Sequence, residues 1–164
     1  MRGVVRMALL AAALIAGSRI SDAADVRILA VRAAEPVVRT LAPQFKNDFG
    51  DEIELTVGTS EEVMEKIKAG EIFDALIASE SAMDALDGEG LVNPESRVRL
   101  ATGTAVGAEA TPSGQADPPV SKIVYEGAVM SDGALPEAAR SFILFLASSD
   151  ARSAWIAANL EPAP

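Results

Sequence analysis

Between Leu55 and Ile67 the chain reads Leu-Thr-Val-Gly-Thr-Ser-Glu-Glu-Val-Met-Glu-Lys-Ile, a strand-like run that ends in Gly58 and hands Thr59 and Ser60 to a helix start. Such a turn exposes backbone N–H groups and hydroxyls, the donors a fully ionised oxyanion needs. The same residues satisfy the capping-box formula, with Thr59 as the cap and Glu62 reaching back. Capping alone, and capping combined with ligand contact, both fit, because they draw on the same donors. The carboxylates of Glu61 and Glu62 favour the helix start but repel an anion unless they point away.

Other polar groups point less directly to chemistry. Asp74 precedes a strand-like run and has no second carboxylate at a recognisable spacing, so turn hydrogen bonding or helix capping accounts for it. Ser79, Ser141 and Ser148 have no histidine to activate them and no Gly-x-Ser-x-Gly elbow around them. The chain contains no His and no Cys, which removes the commonest catalytic bases, thiol nucleophiles and transition-metal ligands. No calcium-loop, phosphate-loop or dinucleotide-loop spacing occurs. Catalytic residues, a metal site and a cofactor are therefore not expected, and the chain does not read as an enzyme.

Partner classes are bounded by charge. With 14 Lys+Arg against 24 Asp+Glu the formal charge is −10, which argues against nucleic acid, since phosphate backbones need a positive footprint. A small anion is not excluded, because it responds to a few local donors. At the N-terminus, Arg2 and Arg6 precede an apolar run from Met7 to Gly17, and Ser21 and Ala23 supply small residues before a cut. Residues 1–23 thus read as an export signal, with Ala24 a second possible end. The apolar run is too short for a membrane anchor, which takes about 20 residues. A cut after Ala23 leaves 141 residues with a formal charge of −12, room for one good core but not for two comfortable domains.

The elements that must position the turn follow from periodicity. Strands are expected at 26–31, 52–57, 73–78 and 120–125, from their β-branched and aliphatic content. Helical spacing marks 36–49, where Pro43 should kink or split the helix, then 60–69 with Gly70 as its stop, and 80–87 before Gly88 and Gly90. After Leu100 the stretch 102–119 is poor in large apolar residues and reads as an irregular link. Two further helices are expected from Pro136 and around Ala151 to Ala158, with Phe142 and Trp155 as core anchors. Strand–helix alternation over the first half favours a mainly parallel sheet with helices on both faces, an α/β lobe whose ligands approach the carboxyl ends of the strands.

These blocks, taken in order, resemble the periplasmic molybdate-binding proteins of ABC importers and, more broadly, the type 2 substrate-binding proteins. The resemblance rests on Ile28-Leu29-Ala30-Val31, on Leu41-Ala42-Pro43-Gln44-Phe45, and on Leu55-Thr56-Val57-Gly58-Thr59-Ser60. It continues through Ile67-Lys68-Ala69-Gly70, Phe73-Asp74-Ala75-Leu76-Ile77-Ala78-Ser79, Gly90-Leu91-Val92 and the segment from Pro136 to Leu146. It implies that Ser60 matches a serine that donates to the bound tetrahedral anion. It also implies a second contact in the turn after the first strand, where Ala33 replaces a common serine and offers only its backbone N–H. Family members close a cleft between two α/β lobes. Here about 20 residues separate Leu100 from Val120, too few for a full strand–helix–strand crossover of about 30 residues.

The expected organisation is an export signal over 1–23, a first-lobe segment over 24–101, a linker or second-lobe remnant over 102–119, and a C-terminal segment over 120–164 that returns to the first lobe. The expected function is an extracytoplasmic, periplasmic binding protein for molybdate, tungstate or a similar oxyanion, with Gly58, Thr59, Ser60 and Ala33 at an incomplete cleft. An ABC permease is the partner that the resemblance implies. An interaction module or vestigial binding protein without ligand, and a binder of small organic anions, remain the alternatives. Homo-oligomerisation stays open.

Overall fold

A computed structural model describes residues 25–106 and 120–164; the expected export signal and residues 107–119 lie outside them. Among the described residues the lobe is one six-stranded sheet covered by five α-helices. In chain order these are β1 (Asp25–Val31), α1 (Glu35–Phe49), β2 (Glu52–Gly58), α2 (Ser60–Lys68), β3 (Ala75–Ser79) and α3 (Glu80–Gly88). Then follow β4 (Val98–Val106), β5 (Val120–Val129), α4 (Pro136–Leu146), α5 (Arg152–Ala157) and the two-residue β6 (Glu161–Pro162). Among the described residues no helix is long and apolar enough to cross a membrane.

The strand order is β2-β1-β3-β5-β4-β6. Only β2, β1 and β3 run parallel; β5, β4 and β6 are antiparallel to their neighbours. This corrects the expectation of a mainly parallel sheet. Helical crossovers impose parallel pairing on the first half, whereas β4 and β5 pair with each other as antiparallel neighbours.

Alternation along the strands divides the core. Val26, Ile28, Ala30, Ala75 and Ile77 face α1, α4 and α5, while Leu29, Val31, Leu76 and Ala78 face α2 and α3. On the first face Phe45 meets Phe142 edge-on at 5.0 Å between centroids and stacks on Phe49 at 4.6 Å. Helix α1 continues unsplit through Pro43. Pro43 and Arg39 are both exposed, so the carbonyl left without its amide lies where solvent can satisfy it. Gly50, at φ 90°, ends that helix in the left-handed conformation.

The expected irregular stretch begins later than residue 102, because β4 continues to Val106 and pairs with β5 from Ala101 to that end. Gly103 has a packing reason to be small. A Cβ on Gly103 would stand 2.8 Å from Leu160 Cδ2 and 3.0 Å from Tyr125 Cε2. What looks like a weak strand in composition is a strand overlain by two large side chains.

Asp74 is 2% exposed. Its Oδ2 accepts the Arg27 N–H and its Oδ1 accepts the Leu135 N–H, both at 2.8 Å. Leu135 is the residue that caps α4, so one carboxylate ties β1 and β3 to the start of the returning segment. Gly133 lies against it, and a Cβ there would stand 3.0 Å from Asp74 Cα and 3.2 Å from its carbonyl oxygen. Backbone atoms cannot swing aside as a side-chain tip can. Gly133→Ala is expected to destabilise the lobe by about 1–3 kcal/mol, read as a lower urea midpoint at unchanged slope.

Candidate functional site

Register brings the expected site residues together. Val31 and Gly58 are partners at the carboxyl ends of β1 and β2, so the 3-10 turn Arg32–Ala34 lies beside the Gly58–Ser60 turn. Ala33 is half-buried in the first turn and packs against the apolar cluster beneath α2 and α3. Gly58 is buried, Thr59 is half-buried and Ser60 is exposed at the first position of α2.

The capping box forms. Thr59 has extended backbone, with φ −68° and ψ 169°; its Oγ1 accepts the Glu62 N–H at 3.2 Å, and its own N–H donates to Glu62 Oε2 at 2.7 Å. That amide hydrogen bond is the foremost cause holding the Glu62 carboxyl below its ordinary value, with Arg32 adding to it from Nη2 at 3.8 Å. Among the described residues no protein acceptor engages the N–H groups of Ser60 and Glu61. Two amides and the Ser60 hydroxyl therefore remain for a ligand.

A third turn shares this end of the sheet and escaped the reading of the residues. Ser79 closes β3 and caps α3, its Oγ accepting from Ala82 N–H at 3.4 Å and lying 3.2 Å from Ser81 Oγ. The signal was available: a strand ending in Ser-x-Ser before a helix repeats the logic of Gly58-Thr59-Ser60. Ser79 pairs across the sheet with Tyr125, whose phenol burial pushes up from its ordinary value.

Beyond Tyr125 on β5 and Thr102 on β4, the two strands pair only with each other among the described residues. They form a ribbon that projects past the carboxyl end of β3, beside the Ser79 turn. At its base Arg97 donates to Glu126 from Nη2 at 2.7 Å and Nε at 3.0 Å, and to Asp84 on α3 from Nη2 at 2.7 Å. These bonds raise the guanidinium pKa further above its ordinary value and fasten the ribbon to α3. Among the described residues no three metal-ligating side chains gather into a site. The groove lined by Val38, Pro43, Ile53 and Leu55 lies between α1 and β2 and includes none of the turn residues.

The arrangement can hold a small anion through amides and hydroxyls, and it presents no nucleophile–base pair. A family model described as "Bacterial extracellular solute-binding protein" matches residues 26–121. Among curated proteins none matches the chain in sequence. The periplasmic molybdate-binding protein of Azotobacter vinelandii shares its fold at a TM-score of 0.70 and 14% identity, over 83% of this chain and 98% of that one. Iron-bound HitA from Pseudomonas aeruginosa does so at 0.67 and 11%, over 86% of each chain. The sulfate-binding protein SubI of Mycobacterium tuberculosis does so at 0.64 and 14%, over 85% of this chain and 87% of that one.

Proposed function

The chain belongs to the bacterial extracellular solute-binding protein family, and from that premise we propose that it binds a small tetrahedral oxyanion, molybdate, tungstate or sulfate, at the Gly58–Ser60 turn. Membership makes it a non-catalytic, extracytoplasmic binding protein. Its working partner in this proposal is an ABC-type importer, reached after removal of residues 1–23.

The observation that carries the ligand class is the side-by-side placement of the Arg32–Ala34 and Gly58–Ser60 turns at the carboxyl ends of paired parallel strands. Crevices at such strand ends are where open α/β sheets take ligands. The free N–H groups of Ser60 and Glu61 and the Ser60 hydroxyl then form a donor set suited to an ionised oxyanion. Binding is weak in this proposal, since Ala33 offers no hydroxyl and the described residues supply one lobe only. Each hydrogen bond to a charged group contributes about 1.5–3 kcal/mol, a factor of roughly 10 to 150 in affinity.

The test is calorimetric titration of the exported protein with molybdate, tungstate, sulfate and citrate. Weak binding of the tetrahedral anions in preference to citrate is expected, with Ser60→Ala reducing affinity about tenfold or more. Tight molybdate binding that survives S60A would remove both the site and the weakened-cleft proposal. Preference for citrate would favour an organic anion, and binding of none of the four would favour an interaction module.

A further inference from the structure

Resting on that assignment of the turn, we infer that Glu62 is a built-in competitor for the anion: its carboxylate occupies the Thr59 amide and the space over Gly58, and must leave before a ligand can use the full turn.

The geometry is specific. Glu62 Oε2 lies 2.7 Å from the Thr59 nitrogen and 3.2 Å from the position a Cβ on Gly58 would take. The side chain therefore fills the volume that the missing Gly58 side chain leaves open. Its nearest cation is Arg32, 3.8 Å away, and both side chains are more than half exposed, at 69% for Arg32 and 52% for Glu62. Such an exposed pair holds weakly, so the bond from the Thr59 N–H is the main restraint that an anion must displace. A carboxylate and a tetrahedral dianion cannot share one amide, because both are acceptors and both are negative.

The outcome is that anion binding is coupled to release of the helix cap. The free N–H groups of Ser60 and Glu61 give the ligand a first foothold, while the Thr59 amide becomes available only after Glu62 rotates away. Arg32 then has its partner removed and is left facing the incoming anion.

The experiment compares the exported wild type with Glu62→Ala, Glu62→Gln and Glu62→Ala/Ser60→Ala, titrated with molybdate at matched ionic strength. Glu62→Ala is expected to bind about tenfold tighter or more. Glu62→Gln is expected to gain less, because the amide oxygen can still accept from Thr59 while the charge is gone. Circular dichroism establishes that each variant is folded, and E62Q retains the cap if E62A does not fold. At neutral pH, where both Glu62 and molybdate are ionised, the wild-type Thr59 amide proton resonance should shift as molybdate replaces the Glu62 carboxylate as its acceptor. Loss of binding in Ser60→Ala with no gain in folded E62A or E62Q would overturn the inference and keep the assigned turn. A gain in E62A that persists undiminished in the double variant would overturn the turn assignment, and the inference with it. A Thr59 resonance that does not move as molybdate saturates the site would also overturn the inference.

Discussion

Trp155→Ala should remove about 3–5 kcal/mol of stability, the range for deleting a fully buried aromatic side chain. The single tryptophan is 1% exposed, within the cluster formed by α1, α4 and α5. Its indole N–H donates to the Leu146 carbonyl at 2.8 Å, satisfying an oxygen in the last turn of α4. The substitution thus opens a cavity and orphans a helix-terminal carbonyl together. Trp155→Phe separates the two effects, keeping much of the apolar volume and losing only the donor, at a cost of about 1–3 kcal/mol. Because the variants lack the fluorophore, urea unfolding followed by circular dichroism is the measurement. A loss below about 1 kcal/mol for Trp155→Ala would mean that α5 does not dock as described.

Arg97→Met is expected to cost about 2–4 kcal/mol, somewhat less than the range for breaking a fully buried pair. The Arg97 side chain is 19% exposed and that of Glu126 is 11% exposed, so desolvation is substantial but incomplete. Removing the guanidinium strands Glu126 beneath α3 and releases Asp84 and Asp87, which sit on that helix. The double variant Arg97→Met/Glu126→Met should recover much of the loss, since no buried charge is then left unpaired. Arg97→Lys should recover little, because an ammonium cannot reproduce the fork that donates from two nitrogens to Glu126. Thermal unfolding of the four proteins checks this. Equal midpoints for wild type and R97M would refute a structural role for the cluster at the base of the ribbon.

Much of the lobe was legible because helices and alternating strands are written in short-range spacing. Val37, Val38, Leu41 and Phe45 announced the buried face of α1, and Thr59-Ser60-Glu61-Glu62 announced the cap of α2. The structural role of Asp74 also followed from what it lacked, a second carboxylate to work with. Pro43 misled as a splitter of α1, because a helix with its proline on the exposed side can leave the freed carbonyl to solvent.

Strand β4 was only partly legible, since Thr102, Gly103, Thr104 and Ala105 carry no apolar alternation in sequence, and only the packing of Tyr125 and Leu160 over Gly103 explains why a glycine stands in the strand. Nothing local distinguished the antiparallel half of the sheet from the parallel half, nor announced that Ser79 joins the same edge as Gly58.

By itself, then, the order of residues determined the helices, the first three strands, the capped Gly58–Ser60 turn and the absence of histidine and cysteine chemistry, all properties of neighbours a few positions apart. Tertiary structure alone decided that Val31 pairs with Gly58, which sets the Ala33 turn beside the Ser60 turn, and that Arg32 stands 3.8 Å from Glu62. It likewise gathered Asp84 and Asp87 of α3, Glu126 of β5 and Arg97 just ahead of β4 into one cluster. Strand register and the packing of helices across a sheet join residues tens of positions apart, and no periodicity along a single segment encodes that distance.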